Sequence, residues 1–378
     1  MSNDERLHRE LAGKQGSRSA LNTPVLVLDL DALDRNIAKM AERAASSGIA
    51  MRPHAKTHKS ADIARRQLDA GAIGICCAKL GEAEALAADG ITGLHLTSPV
   101  VPEPAIARLV KLSETYTDIS VVVDHPANVE RLGEAMQSTS RALDVIIDID
   151  PGFHRTGVAD GDAAVQLARA IAAQPSLRYR GVQFYCGAQQ HIADYAQRAE
   201  AIRERTAFLS AVIEQLASAG FPPAIVTGSG TGSHETDLEL GVFTELQVGS
   251  YVFMDRQYAE CDLTGPGLPS FEHSLFIDST VVSVNTSGLV TVDAGFKAMA
   301  TDGGLPTIAD GAPAQTRFAF MGDEQGALIG ANLPQLGGRV SLIVPHCDPT
   351  VNLYDSLHVV RQDTLVDIWP VTARGRSR

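Results

Sequence analysis

From about residue 50 to residue 255 one pattern repeats along the chain: a short apolar run, then a longer stretch with apolar residues at helical spacing. The apolar runs are Met51–Ala55, Ile73–Ala78, Gly93–Thr97, Ile119–Asp124, Asp144–Asp150, Gly181–Cys186, Ala224–Gly228 and Glu245–Tyr251. Their length and near-continuous apolar character predict strands buried on both faces, as in a parallel sheet. Between them lie Ala-, Glu- and Arg-rich segments such as Asp162–Ala173 and Asp194–Ala219, which predict helices. Eight such units predict an α/β chain with a closed (β/α)8 TIM-type barrel. The alternative is an open doubly wound sheet, which usually has fewer strands, and no G-x-G-x-x-G follows the first strand here. After Pro269 the period changes. Ser274–Val284, Leu289–Asp293, Thr316–Gly322, Arg339–Val344 and Leu365–Val371 alternate apolar and polar residues between Gly- or Pro-containing turns, which predicts a smaller antiparallel β domain. The expected organisation is an N-terminal arm over 1–22, a barrel domain over 23–268 and a β domain over 269–378.

Composition narrows the function classes. A formal charge of −13 argues against a nucleic-acid surface, and no stretch approaches the ~20 apolar residues that span a bilayer. The first 22 residues mix both charge signs without an apolar core, so they do not read as a secretory signal. Five cysteines, at 76, 77, 186, 261 and 347, form no metal-knuckle spacing, and the odd count suits reduced thiols. The expectation is a cytoplasmic protein with no nucleic-acid or membrane partner.

A barrel places its chemistry at the C-terminal strand ends and often holds phosphate in the loops after strands seven and eight. Strand seven runs into Gly228-Ser229-Gly230-Thr231-Gly232-Ser233, where small residues let backbone N–H groups and hydroxyls approach a phosphate dianion. Strand eight ends in Gly249-Ser250-Tyr251. Either alone could be a flexible turn, but both at the two expected positions favour a phosphate site. Strand one ends in Arg52-Pro53-His54-Ala55-Lys56-Thr57-His58-Lys59. If it stays extended, Lys56 shares a face with His54, and desolvation beside cations would lower its pKa and suit Schiff-base chemistry. Lys59 reads as part of a solvated basic loop. Tyr185 ends strand six, His191 follows in Gln189-Gln190-His191, and Arg155 follows strand five. Together they could grip a ring and move a proton, and separately each could be loop packing. In Pro345-His346-Cys347-Asp348-Pro349, an extended backbone would aim His346 and Asp348 the same way and Cys347 elsewhere. An imidazole and a carboxylate suit Mn²⁺ or Mg²⁺, whereas a thiolate would favour Zn²⁺, and a kink could bring Cys347 in. The plain alternative is a turn capped by Asp348.

The runs RPHAKTHKS, YCGAQQH, TGSGTGS, ELQVGSYVFMD and PHCDPTVNLYD, in this order, resemble the fold-type III pyridoxal-phosphate enzymes related to alanine racemase. Within that group the chain is similar, from about Thr23 onward, to the branch of D-threonine aldolases and D-serine dehydratases. The resemblance implies that Lys56 carries pyridoxal 5′-phosphate and that Gly228, Ser229, Gly230, Thr231 and Tyr251 hold its phosphate. It implies Arg155 at the phenolic oxygen, Tyr185 at the pyridine end, His191 as the proton-transfer group, and His346 with Asp348 as the ligands of a divalent metal. The dehydratases of that branch resemble His-x-Cys with zinc, whereas the His-x-Asp here resembles the aldolases.

The implied activity is retro-aldol cleavage of D-threonine and related β-hydroxy-α-D-amino acids to glycine and an aldehyde, with Mn²⁺ or Mg²⁺. The alternatives are a D-serine or D-threo-3-hydroxyaspartate-type dehydratase, with Lys56 as the base on Cα–H, and a non-catalytic pyridoxal-phosphate-binding protein, against which residues 270–378 count. A racemase would need a second base, for which Tyr354 is the only tyrosine after Tyr258. A homodimer is expected by the same resemblance.

Overall fold

The computed structural model describes residues 3–265 and 270–378. Its barrel strands are β2 (Ala50–Met51), β3 (Ile75–Cys77), β4 (Leu94–Leu96), β5 (Ile119–Val123), β6 (Leu143–Ile149), β7 (Leu177–Phe184), β8 (Ile225–Gly228) and β9 (Glu245–Leu246); β1 (Val25–Asp29) precedes them. The eight are hydrogen-bonded in the order β2-β9-β8-β7-β6-β5-β4-β3, all parallel. The two ends of that row meet at the parallel bridge His54↔Cys76, where Ala55 N donates to Cys76 O and Cys76 N to Pro53 O, each at 2.8 Å. The sheet therefore closes on itself. Every apolar run of the repeat is a strand because its side chains are covered on both faces, by barrel interior and by the helical ring. The helices are set by their caps: Asp160 accepts from Ala163 N to start Gly161–Ala172, and Asp194 from Gln197 N to start Tyr195–Ser218, each at 2.8 Å. The first and last strands are assigned only two residues each, yet their parallel hydrogen bonds run on, Arg52 N donating to Leu246 O and His54 N to Val248 O, each at 2.9 Å.

The β domain contains β10 (Leu275–Thr286), β11 (Leu289–Val292), β12 (Thr307–Asp310), β13 (Arg317–Phe320), β14 (Gly326–Ile329), β15 (Arg339–Ile343), β16 (Ser356–Arg361) and β17 (Thr364–Pro370). Long β10 pairs antiparallel with β1 (Val25↔Asp278) and β15, shifts register after Val281, and continues against β11. The strand β1 also lies parallel to β16, with Val27 beside His358. Residues 25–29, assigned by sequence to the 23–268 barrel unit, thus belong to this sheet. Their doubly buried VLVL run has the periodicity of a barrel strand, and only tertiary pairing tells the two apart. The expected division at 268/269 lies outside the described residues. Short β12 and β14 and the nearly all-buried β16 lack the alternation that marked their neighbours.

The N-terminal arm packs on the same sheet. Gly13 N donates to Leu365 O at 2.8 Å, and the Arg18 guanidinium grips Asp278 with two 2.8 Å bonds. From β1 the helix Leu30–Ser46, capped by Asp29, crosses to the barrel. It buries Leu30, Leu33, Ile37, Met40 and Ala44 along one stripe, each large side chain contributing roughly 2 kcal/mol. The β domain is thereby tied to the barrel.

Candidate active site

A cavity of about 530 Å³ opens at the C-terminal end of the barrel, and each of the eight barrel strands contributes residues in or just after it. The floor is a buried polar layer centred on Gln183. Its amide nitrogen donates to Asp148 (2.9 Å) and to the Thr97 carbonyl (3.1 Å), and its oxygen accepts from Gln247 (3.1 Å). Burial pushes the Asp148 carboxyl up to about 6, against the hydrogen bonds from Thr156 and Gln183. None of these floor residues was singled out by sequence, because each sits inside a strand that reads as core.

On one side the wall is made by Gly230, Thr231, Gly249 and Ser250, from the loops after β8 and β9. Gln190 fixes the first loop: its Oε1 accepts from Gly232 N at 2.8 Å, and its Nε2 donates to Ser233 Oγ and Cys186 O, both at 3.1 Å. A Cβ on Gly230 would stand 2.4 Å from Gln190 Oε1, and one on Gly232 2.1 Å from the Gln190 carbonyl oxygen. On Gly249 it would reach 2.9 Å from Thr57 Oγ1. This is a close-fitting, side-chain-free cradle with hydroxyls, suited to a phosphate. Three residues expected there lie elsewhere. Gly228 ends β8, pressed against the Phe184 carbonyl. Ser229 is buried in a left-handed conformation (φ 71°) outside the cavity lining. The Tyr251 hydroxyl accepts from Gln67 Nε2 at 3.1 Å in the apolar core, while its backbone N donates to Thr231 Oγ1 at 3.0 Å. The tyrosine supports the cradle without entering it, since its ring is drawn into the packing around Phe271.

The cavity is also lined by Lys56, His54, Arg155, Tyr185 and Tyr258, with His54 next to Gly249. The backbone at 55–58 turns instead of staying extended, yet His54 and Lys56 both face the cavity while Ala55 is buried. The Lys56 ammonium forms an ion pair with Asp348. Burial would lower its pKa, but Asp348 and Tyr185 outweigh burial and raise it, opposite to the lowering expected from sequence. Burial would likewise raise the Asp348 carboxyl, which Lys56 and then His346 hold at about 2. The Arg155 guanidinium lies 5.6 Å from the Tyr185 ring centroid, within cation–π range. The His191 ring packs at a tilt against Tyr258, centroids 4.5 Å apart, outside the cavity lining, and desolvation followed by the charges of His346 and Lys56 lowers its pKa. Lys59, expected in solvent, is buried against Glu82.

The segment after Pro345 is not extended. His346 is the N-cap of a short helix, Cys347–Val351, held by Asp255, which accepts from Cys347 N at 3.0 Å. The turn sends Cys347 into the core, where burial pushes its thiol well up, and leaves His346 and Asp348 close enough to perturb each other. Asp348 Oδ1 is buried with no hydrogen bond of normal geometry among the described residues and the Thr57 hydroxyl beside it, an acceptor of the kind a hard cation needs. His346 and Asp348 therefore fit a divalent metal, and Cys347 does not take part. A second cluster, Asp4, His8 and His358, lies on the β-domain side. There His8 Nε2 accepts from Asn22 N at 3.0 Å, so Nδ1 carries the proton toward His358 Nε2 at 2.8 Å and has no lone pair for an ion. Tyr354, the one tyrosine available as a racemase base, donates its hydroxyl to Ala298 O at 2.7 Å.

Comparison with known proteins matches this architecture. Residues 28–257 fit the family model of the alanine racemase N-terminal domain, and residues 274–360 that of the serine dehydratase domain. A D-threonine aldolase from Arthrobacter sp. is 39% identical, over 95% of this chain and 94% of its own. A 3-hydroxy-D-aspartate aldolase from Paracoccus denitrificans is 37% identical over the same shares of 95% and 94%. The crystal structure of D-threonine aldolase from Filomicrobium marinum superposes with a TM-score of 0.91 at 38% identity, covering 94% of this chain and 97% of that one. With the fold shared over nearly the whole chain and both family models matched in order, the chain belongs to the alanine racemase-type barrel family, in the branch that joins this barrel to a serine dehydratase-type β domain and includes the D-threonine aldolases.

Proposed function

We propose that this chain cleaves β-hydroxy-α-D-amino acids, D-threonine among them, to glycine and an aldehyde, using pyridoxal 5′-phosphate on Lys56 and a divalent cation, Mn²⁺ or else Mg²⁺, on His346 and Asp348. One observation carries the reading: Asp348 of the β domain meets the amine of Lys56 at the cavity edge, so the cation-type pair and the attachment lysine adjoin. Pyridoxal phosphate, when bound, supplies an electron sink for negative charge at the substrate α-carbon. A divalent cation supplies Lewis acidity that favours ionisation of the β-hydroxyl. The chain's own residues divide the remaining work. Gly230, Thr231, Gly249 and Ser250 hold the phosphate, with Gly228, Ser229 and Tyr251 as support behind them. Arg155 and Tyr185 clamp the ring. His191, its basic form favoured by the lowered pKa, takes the β-hydroxyl proton directly or through a water. Lys56, which lines the cavity beside Asp348, would hold pyridoxal phosphate through its ε-amine.

The exposed Val101 and Phe153 near the cavity, 40% and 48% accessible, support a homodimer whose second copy covers the mouth. Five unpaired cysteines support a reducing, cytoplasmic setting. Among the described residues no helix is long and apolar enough to cross a membrane. The division of labour between a barrel ending near 268 and a β domain beyond it is part of the same proposal. Product analysis tests it. Protein with pyridoxal phosphate and Mn²⁺ should yield glycine and acetaldehyde from D-threonine, not from L-threonine, and EDTA should abolish the yield. Pyruvate from D-serine, or 2-oxobutanoate from D-threonine, would replace it with a dehydratase.

A further inference from the structure

Of the two ring nitrogens of His346, one is already committed. Nδ1 lies 2.6 Å from Oδ2 of Asp302, and a carboxylate accepts, so Nδ1 carries a proton and the neutral ring has its lone pair on Nε2. The contact is built into the fold. Asp302 lies on the loop between β11 and β12, and that loop is fastened to the His346 segment at several points. Ala300 N donates to Thr350 Oγ1 at 3.0 Å, and the same hydroxyl donates to the His346 carbonyl at 2.7 Å. Gly303 packs so closely on Pro345 that an added Cβ would stand 3.0 Å from it, and its carbonyl accepts from Arg256 Nη2 at 2.6 Å. Arg256 in turn follows Asp255, which anchors Cys347 N. The carboxylate and the imidazole are therefore mounted on one cross-linked unit, with little freedom to drift apart.

We infer that Asp302 is a positioning residue, which locks His346 in the Nδ1-protonated tautomer and presents Nε2 to a divalent cation beside Asp348. The inference rests on the metal role proposed for His346 and Asp348. Asp302 does not itself touch the ion, since Nδ1 and Nε2 look out from different edges of the ring. Such carboxylate–histidine pairs fix ring orientation and raise ligand basicity, and their loss typically weakens metal affinity about 10- to 100-fold. The side chain of Asp302 is 57% exposed, so its removal leaves packing intact. Local pattern carried no sign of it, because 44 positions of chain separate the pair and only the loop closure joins them.

The experiment is an Mn²⁺ titration of metal-stripped protein saturated with pyridoxal phosphate, with free Mn²⁺ read from its EPR signal. Wild type should bind one ion per chain, His346→Ala should lose it, and Asp302→Ala should bind about 10- to 100-fold more weakly. Asp302→Asn, which restores an acceptor without the charge, should recover part of the loss. The melting temperature and the cofactor absorbance of both Asp302 variants should equal those of wild type. Affinity within twofold of wild type in Asp302→Ala, with the site lost in His346→Ala, overturns the role of Asp302 and leaves the proposed function standing. No Mn²⁺ binding by wild type, or an unchanged site in His346→Ala, overturns the metal pair and this inference with it.

Discussion

Replacing Gln190 by methionine keeps nearly the same side-chain length and volume while removing every hydrogen bond that the amide makes. The native side chain is 1% exposed and makes three such bonds, to Gly232 N (2.8 Å), Ser233 Oγ (3.1 Å) and Cys186 O (3.1 Å). At about 1 kcal/mol net for each, the loss is about 3 kcal/mol, and a buried Gly232 N–H left without a partner adds about 1 kcal/mol unless water enters from the cavity. An unfolding entropy of about 2.1 cal/mol/K per residue gives roughly 0.8 kcal/mol/K for 378 residues, so the melting temperature of cofactor-free protein should fall by about 4–5 °C. The same bonds order the 228–233 loop. If half of the loss falls on loop order, pyridoxal-phosphate affinity should weaken by about 10- to 30-fold. Thermal melts by circular dichroism and an absorbance titration with the cofactor read the two effects separately. A melting temperature within 1 °C of wild type would refute the hydrogen-bond reasoning. A lowered melting temperature with unchanged cofactor affinity would refute the assignment of this loop as the phosphate cradle.

Two further perturbations follow from buried charge. Lys59 and Glu82 are 8% and 3% exposed, and Glu82 also accepts from Ala78 N at 2.8 Å, so Lys59→Met strands a buried carboxylate and should cost about 3–5 kcal/mol in urea unfolding. A cost below about 1 kcal/mol would mean that Lys59 is solvated after all. Burial would raise Glu235, but His234 and Arg43 hold it at about 2 against an ordinary 4.5. A depressed carboxyl stabilises the fold above its unfolded pKa, and the stabilisation is lost as pH falls from about 4.5 towards 2. Arg43→Leu should therefore lower the melting temperature at pH 7 and flatten its decline over that window, and parallel curves for the two proteins would contradict this.

Local pattern was enough to find the eight barrel strands, because doubly buried strands must be apolar throughout and helices between them must carry a stripe. It also marked Lys56, Arg155, Tyr185, Gly230 and Thr231, which the fold gathers around one cavity, since a barrel collects its strand ends in one place whatever their separation in sequence. Neighbour-to-neighbour pattern could not say which sheet Val25–Asp29 would join, because pairing partners leave no mark in periodicity. Nor could it say that Lys59 is buried, that Tyr251 turns its hydroxyl to Gln67, or that the His346 segment coils at once into a helix. Charge state was decided latest of all. The pairing of Lys56 with Asp348, 292 residues apart, reverses the sign of the lysine's expected shift, and only the closure of the β domain over the barrel brings those two charges together.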